Sequence, residues 1–267
     1  MNERPVAVVL GDGPVPLDHA LDWAIAEADR RAVAVRVLGR TEVELARAAR
    51  RVRAAGLPVT TRAVPREAVW RSSADASVLV LPSPADEFAV ATALCPVAVV
   101  PDCAAAGDAV YVGVAPWTAT TVLDAAAEEA SERGVELVAV RAWTDRRVDL
   151  GVVSRRMLHA WDEAADRAGR DLDAALSAYR VAYPHLLLRS LVVQDDPTDL
   201  LETLSVEAGL LVVGRSERGL LARALAGSPV AALLRAAACP LLVVPEDGPQ
   251  RRTLLPSPAT RLARLTP

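Results

Sequence analysis

The amino-acid sequence predicts an α/β protein made of two tandem units, each built on a five-stranded parallel sheet. Short Val-rich segments alternate along the chain with segments whose apolar residues recur at helical spacing. That alternation is typical of parallel sheets covered by helices on both faces. Motifs of the first half recur in the second half. The chain has 267 residues, of which 52% are hydrophobic, enough to form two cores of ordinary size.

The first half of the chain contains five predicted strands and the helices between them. After the first strand, apolar residues from Ala20 to Ala28 recur at helical spacing, which indicates an amphipathic helix. Thr41 stands where an N-cap begins the next helix, and Gly56 follows its end. We expect strands at residues 6–10, 33–38, 59–63, 78–81 and 97–100, and helices at 17–31, 41–55, 65–76 and 87–93.

The second half repeats the first at increasing offsets. The motif Leu-Asp-x-Ala occurs at residues 21–24 and, 102 residues later, at 123–126. The segment Cys-Pro-x-x-Val-Val-Pro occurs at 95–101 and, 144 residues later, at 239–245. The repeat therefore predicts two homologous units of unequal length.

These repeats divide the chain into four parts. We place unit 1 at residues 1–101, a linker rich in small residues at 102–108, unit 2 at 109–245 and a Pro- and Arg-rich flexible tail at 246–267. Unit 2 gains 30 residues within the segment 144–185, where apolar residues predict an amphipathic helix with Gly169 as a candidate break. That helix could cover the sheet or present a face to a partner.

A candidate phosphate-binding loop lies in unit 2, between the predicted strand 210–213 and a helix beginning after residue 228. A strand that leads through a glycine-containing loop into a helix N-terminus presents unpaired N–H groups and the positive end of the helix dipole to an anion. A plain surface turn is the alternative, because these residue types are also ordinary in loops. The candidate residues are Gly214, Arg215, Ser216, Arg218, Gly219, Gly227 and Ser228.

This loop, together with the tandem repeat, resembles the universal stress protein family. The family's nucleotide-binding members carry Gly-x2-Gly-x9-Gly-Ser/Thr, and here Gly214, Gly227 and Ser228 match while Glu217 replaces the second glycine. The resemblance implies Rossmann-like units of the adenine nucleotide alpha hydrolase type. It also implies that the units meet along their last strands, at 97–100 and 241–244, as an internal pseudo-dimer. We expect them to pack face to face.

The two units retain different parts of the family's nucleotide site. Asp12 in unit 1 resembles the family's Asp that contacts the adenosine end of the nucleotide, whereas Ala115 stands there in unit 2. Unit 1 lacks the phosphate loop, and its fourth strand ends at Pro82 and Pro84, which have no N–H to donate. We therefore expect no nucleotide in unit 1, and weak or lost ATP binding in unit 2, where inorganic phosphate binds more readily.

Composition narrows the function further. The formal net charge of -4 argues against a nucleic-acid-binding surface. The absence of lysine excludes both a Schiff-base lysine and a P-loop lysine. No apolar run is long enough for a membrane span or signal peptide. Cys95, Cys103 and Cys239 suit structural thiols in the cytoplasm. Most carboxylates, including Glu128, Glu129 and Glu132, are expected in solvent, and Asp195 and Asp196 are expected to cap a helix.

The sequence thus favours a non-enzymatic, cytoplasmic stress-response or regulatory protein that acts by binding an unknown protein partner. A nucleotide sensor that binds ATP, with at most slow hydrolysis, is the alternative. No metal site, catalytic constellation or membrane association is expected. Association of two chains into a homodimer stays open.

Overall fold

The structure is a computed structural model, and it describes residues 4–10, 18–102, 107–143, 155–215 and 229–246. The strands inside the sheet are Val-rich and almost completely buried, as expected for strands covered on both faces, whereas the two edge strands are partly exposed. In chain order they are β1 (Val6–Val9), β2 (Val35–Gly39), β3 (Val59–Ala63), β4 (Val78–Pro82), β5 (Val97–Val100), β6 (Val110–Gly113), β7 (Leu137–Trp143), β8 (Leu188–Gln194), β9 (Leu210–Arg215) and β10 (Leu241–Pro245).

Helices follow the strands and cover both faces of the sheet. They are α1 (Asp18–Arg30), α2 (Glu42–Ala54), a 3-10 helix (Arg66–Asp75), α3 (Glu87–Thr92), α4 (Thr120–Arg133), α5 (Arg155–Ala182), α6 (Pro197–Ser205) and α7 (Pro229–Ala236). Two predicted caps are confirmed. The Thr41 side chain accepts a hydrogen bond from the Glu44 backbone N–H, and the Asp196 carboxylate accepts from the N–H groups of Thr198 and Asp199.

All ten strands form one sheet, in the order β3-β2-β1-β4-β5-β10-β9-β6-β7-β8. Pairing is parallel within each set of five, and β5 pairs with β10 antiparallel, with Val99 opposite Leu241 and Val97 opposite Val243. The units therefore do meet along their last strands, as predicted. The expectation that they pack face to face is wrong, because pairing of β5 with β10 joins the two sheets edge to edge.

The two faces of the sheet carry separate hydrophobic cores. One core contains side chains of α1, α2, α4 and α5, and the other contains side chains of the 3-10 helix, α3, α6 and α7. Cys95 and Cys239 lie in the second core as buried free thiols, and Cys103 lies outside the described residues. Each core runs across both units, so burial of apolar surface joins the units on both faces.

The inserted segment of unit 2, residues 144–185, contains the whole of α5. The helix continues through Gly169 without a break, and it buries Ala168, Leu172, Leu176 and Tyr179 against the sheet. The covering role predicted for this helix is confirmed for those residues. No helix in the described ranges is both long enough and apolar enough to span a membrane.

A cluster of charged side chains joins α1 to α4 across the junction of the units. Arg31 contacts both Glu27 and Glu129, and Arg133 contacts Glu129 at 2.8 Å and Glu27 at 3.3 Å. Glu27 and Glu129 are 0% and 1% exposed. The expectation that Glu129 is a solvated helix position is therefore wrong, because α4 packs against α1 at this point.

Candidate functional site

A cavity of about 380 Å³ opens in unit 2 at the carboxyl ends of the strands. Strand β6 lies between β7 and β9 in the sheet. The chain first adds β7 and β8 on one side of β6 and then crosses over to add β9 and β10 on the other side, so β6 marks the switch point. Ligands of open α/β sheets bind in the crevice at such a switch point. The cavity is lined by Gly113, Val114, Ala115, Pro116, Trp117, Thr118, Val140, Ala142, Pro197, Leu200, Leu201, Val213, Gly214, Arg215, Val230 and Glu246.

One wall of the cavity is the turn that follows β6. The Ala115 backbone N–H donates to Thr118 Oγ1 at 2.8 Å, and the Thr118 N–H donates to the Ala115 carbonyl at 3.1 Å. These two bonds fix the turn, and they hold Trp117, which is 58% exposed, beside the cavity. Gly113 ends β6, where an added Cβ would lie 3.1 Å from Leu201 of α6. A glycine here therefore lets α6 approach the strand.

The lining of the cavity also includes a carboxylate that was not predicted from the sequence. A Cβ at Gly214 would lie 2.6 Å from Glu246 Oε1 and 3.0 Å from Val122. Gly214 is thus matched to a close approach by Glu246, the residue that follows β10. In the sequence, Glu246 begins the predicted flexible tail. The signal that could have identified it is its position one residue beyond a strand that ends at the same edge as β9.

Arg215, at the end of β9, crosses from unit 2 to unit 1. Its Nη1 donates to the carbonyl oxygens of Val90 at 2.9 Å and of Ala93 at 2.7 Å, at the C-terminal end of α3. The last carbonyls of a helix lack partners within the helix and carry partial negative charge, so a guanidinium group satisfies them well. A second arginine, Arg235 of α7, donates to Glu87 of α3 at 2.7 Å. Both contacts hold α3 against unit 2.

Most residues of the predicted phosphate loop lie outside the described residues. These are Ser216, Arg218, Gly219, Gly227 and Ser228, together with Glu217. Of the predicted set, the structure places Gly214 and Arg215 on the cavity. The predicted start of a helix after Ser228 is confirmed, since α7 begins at Pro229. Phosphate binding by this loop stays a prediction.

The corresponding end of unit 1 is arranged differently. The Ser83 backbone N–H donates to the Val100 carbonyl, so it is not free for a ligand. Asp86 caps α3 by accepting from the Phe88 N–H at 2.9 Å, and the cap places a carboxylate where an anion would otherwise bind. Asp12, which resembles the family's adenosine-contacting Asp, lies outside the described residues. Absence of nucleotide from unit 1 stays a prediction.

The described part of the chain offers no metal centre. Within it, no three side chains of His, Cys, Asp or Glu come together in a way that could hold a metal ion.

Comparison with known proteins gives consistent matches to one family. The family model described as "Universal stress protein family" matches residues 108–245, which are unit 2 and the one residue before it. A universal stress protein of Mycobacterium tuberculosis is 36% identical over 139 residues, which cover 52% of this chain and 45% of that protein. Another from the same organism is 39% identical over 118 residues, covering 43% and 38% respectively. The chain thus spans less than half the length of these relatives.

Solved structures resemble the whole fold. A functionally unknown protein from Pseudomonas aeruginosa aligns with 91% of this chain and 92% of its own, with a TM-score of 0.64 and 16% identity. A universal stress protein from Archaeoglobus fulgidus aligns with 90% of this chain and 98% of its own, with a TM-score of 0.58 and 12% identity. At these identities the likeness concerns the fold, including the tandem arrangement.

Proposed function

The chain belongs to the universal stress protein family, and from that premise we propose that it is a non-enzymatic regulatory protein acting through a protein partner. In this proposal the unit 2 cavity is its ligand site, and that site binds ATP weakly or not at all. The protein acts in the cytoplasm, a compartment in which the free thiols of Cys95 and Cys239 would stay reduced.

The observation that carries this proposal is the charge distribution around the cavity. The cavity is lined by Gly214 and Ala115, positions that the family resemblance assigns to a nucleotide site, and its described lining provides one cation, Arg215, and one carboxylate, Glu246. The Arg215 Nη1 group is already bonded to two carbonyl oxygens of α3. A polyphosphate here would meet a carboxylate beside Gly214 and a guanidinium partly committed elsewhere. Both features weaken binding of ATP.

A second feature acts in the same direction at the nucleoside end. Ala115 lies on the cavity wall, at the position where the family resemblance implies an Asp. Each hydrogen bond to an ionised group contributes about 1.5–3 kcal/mol, so its loss weakens affinity roughly 10- to 150-fold. Without a described residue that carries catalytic chemistry at the cavity, binding rather than turnover is the function favoured.

The alternative is an ATP-binding sensor, and the position of the cavity at the switch point favours it. Titration calorimetry with ATP distinguishes the two. We expect a dissociation constant above about 100 μM for the wild type, and a gain of about tenfold in both Ala115→Asp and Glu217→Gly. Glu217→Gln is the matched control, because it removes the charge at that position and keeps the side chain.

Low-micromolar affinity of the wild type for ATP would reject the proposal and favour the sensor. If Glu217→Gln gains as much as Glu217→Gly, charge alone explains the weak binding. A gain confined to Glu217→Gly would instead indicate a backbone requirement at that position. Release of phosphate from ATP by the wild type, lost in Gly214→Ala, would reject the non-enzymatic assignment.

A further inference from the structure

We propose that the β3 edge of the sheet binds an extended, acidic segment of a partner protein, which adds to the sheet as a further strand. The inference rests on the proposed function in one respect, that the protein acts through a protein partner. It goes further by assigning the surface that meets the partner and the chemistry of the segment bound there.

Strand β3 forms one end of the ten-stranded sheet. It pairs with β2 along one side, and its other side has no strand beside it among the described residues. Four of its five residues are exposed, in contrast to the buried strands inside the sheet. An exposed edge strand is a ready template for another extended chain.

The backbone groups of β3 that point outward follow from its pairing. The Val64 N–H donates to the Gly39 carbonyl at 3.0 Å, and because backbone direction alternates along a strand, the even-numbered residues of β3 bond to β2. The N–H and C=O groups of Val59, Thr61 and Ala63 therefore point away from β2. Within the described residues, no backbone group is bonded to them.

Arginines surround this edge. Residues 42–63, which include α2 and β3, carry five arginines and two glutamates, a net charge of +3, whereas the whole chain carries -4. The exposed arginines among them that form no ion pair in the part of the chain that the structure describes are Arg47, Arg50, Arg53 and Arg62. Their charge is therefore available to a partner.

The cations lie on both faces of the sheet at this edge. Arg51 contacts Asp22 of α1 at 2.7 Å, so it marks the side of α2 that faces the centre of unit 1. Arg53 lies about 200° further around the helix axis, on the side toward the sheet edge. Arg62 is opposite Leu38 in the register, so it shares the face of the sheet that α2 does not cover.

These two features together select an acidic extended segment. The outward backbone groups can be satisfied in register by another extended chain, which a lipid surface or a nucleic acid does not provide. The arginines repel a second β3 edge. They also repel residues 247–267 of this chain, which carry four arginines and one aspartate.

The other edge of the same sheet differs in charge. On β8, Arg189 is paired with Glu136 at 3.0 Å, and Arg180 of α5 is paired with Asp173 at 2.8 Å. Cations beside β8 are thus neutralised by carboxylates of the chain itself. This edge provides an internal reference for the edge formed by β3.

Two synthetic peptides test the charge requirement. Repeats of Glu-Glu-Val-Val and of Gln-Gln-Val-Val, about eight residues long, span β3 and differ in charge alone. Fluorescence anisotropy with the full chain should show about tenfold tighter binding of the Glu peptide. The double variant Arg53→Ala and Arg62→Ala should remove that difference, whereas the control Arg189→Ala on β8 should change it less than about twofold.

A proline on the edge tests the backbone requirement. Thr61→Pro removes an outward N–H and keeps the bonds to β2, a position at which sheets tolerate proline. Binding of the Glu peptide should fall at least about tenfold. Thr61→Val keeps the N–H and is the matched control. If Thr61→Pro fails to fold, Ala63→Pro, whose N–H also points outward, takes its place.

Three results would overturn the inference. One is equal binding of the two peptides by the wild type. Another is binding of the Glu peptide that depends on the arginines but is unchanged in Thr61→Pro, because that result indicates attraction by charge alone. The third is a wild-type dimer that Thr61→Pro converts to a monomer in sedimentation analysis, which would assign the edge to a second copy of the chain.

The outcomes also separate this inference from the proposed function. Weak ATP binding together with failure of the Glu peptide to bind overturns the inference and leaves the proposed function standing. Low-micromolar ATP binding together with Glu-peptide binding that is lost in Thr61→Pro supports the inference and rejects the proposed function.

Discussion

Units 1 and 2 share one strand order but differ at the carboxyl ends of their strands, where ligands bind in α/β proteins. In unit 1, four residues separate β4 from α3, and Asp86 caps the helix with its own carboxylate. In unit 2, β9 and α7 enclose a cavity together with β6 and β7. The connection at this position is therefore four residues long in unit 1 and thirteen residues long in unit 2.

The short connection in unit 1 also places α3 where it contacts unit 2. Helix α3 occupies the position to which a phosphate loop would lead in a nucleotide-binding unit. Its C-terminal carbonyls accept hydrogen bonds from Arg215, and its Glu87 side chain accepts one from Arg235. Unit 1 thus contributes a helix against which the cavity of unit 2 is built. Repetition of a fold does not require repetition of its site.

Residues at equivalent positions of the two units can also have different neighbours. Glu27 and Glu129 are related by the offset of 102, but Glu27 contacts Arg30, Arg31 and Arg133, whereas Glu129 contacts the last two alone within the described residues. Burial acts to raise the pKa of Glu27, but the guanidinium groups outweigh it and hold that pKa below its ordinary value. Burial and the Glu27 charge raise the pKa of Glu129.

The largest expected effect on the free energy of unfolding comes from replacing Glu27 and Glu129 one at a time. Glu27→Gln leaves three guanidinium groups without a full counter-charge, and we expect a loss of about 3 kcal/mol in the free energy of unfolding. Glu129→Gln removes a carboxylate whose charged form is already disfavoured, and it should cost about 1 kcal/mol. Urea unfolding at neutral pH measures both.

Glu202→Gln, at an exposed position, is the control for this pair and should change the free energy of unfolding by less than about 0.5 kcal/mol. Equal losses in Glu27→Gln and Glu129→Gln would show that the two positions are energetically equivalent despite their different contacts. That result would contradict the asymmetry described for the junction.

Most of the fold could be predicted from the sequence, because the inner strands are buried Val-rich runs and the helices carry apolar stripes. The joining of the units edge to edge could not, since the alternation pattern of a strand does not specify its neighbour. The Glu27 and Glu129 cluster was missed although Glu-x3-Arg recurs at the offset of 102, as Glu27–Arg31 and Glu129–Arg133. That repetition was the available signal.

The candidate site could be predicted less completely than the fold. Its location after β9 followed from the spacing of glycines, and Ala115 from the repeat. Glu246 and Trp117 were not identified, although Glu246 directly follows β10 and Trp117 lies two residues after Ala115. The Arg215 contact with α3 depends on the edge-to-edge junction, so a wrong packing prediction also concealed that contact.

The next largest effect tests the support that α3 gives to the cavity. Arg215→Ala removes two hydrogen bonds from a charged donor, and we expect a loss of about 2 kcal/mol with faster hydrogen exchange in residues 87–93. Arg235→Ala is the matched control, because it contacts the same helix from an exposed position and should cost less than about 1 kcal/mol. Equal effects of the two substitutions would contradict a special role of Arg215.

The smallest effect concerns two aspartates that occupy equivalent positions in the units. In unit 1, Asp22 pairs with Arg51 in solvent, whereas in unit 2, Asp124 accepts a 2.6 Å hydrogen bond from the buried Tyr179 hydroxyl of α5. Tyr179→Phe should therefore lower the free energy of unfolding by about 1.5 kcal/mol. Arg51→Ala should lower it by less than about 0.5 kcal/mol. Chemical denaturation of both variants provides the comparison.

Tyr179 also gives this comparison a pH dependence of known sign. Burial and the Asp124 hydrogen bond raise the pKa of Tyr179 above its ordinary value of 10.0. A group whose pKa is raised on folding stabilises the protein below its unfolded pKa, and that contribution is lost as the pH rises through the folded value. The stability difference between wild type and Tyr179→Phe should hence be constant up to about pH 9 and shrink above pH 10. A difference that widens above pH 10 would show that the hydroxyl ionises more readily in the folded protein, against the contacts that α5 makes with α4.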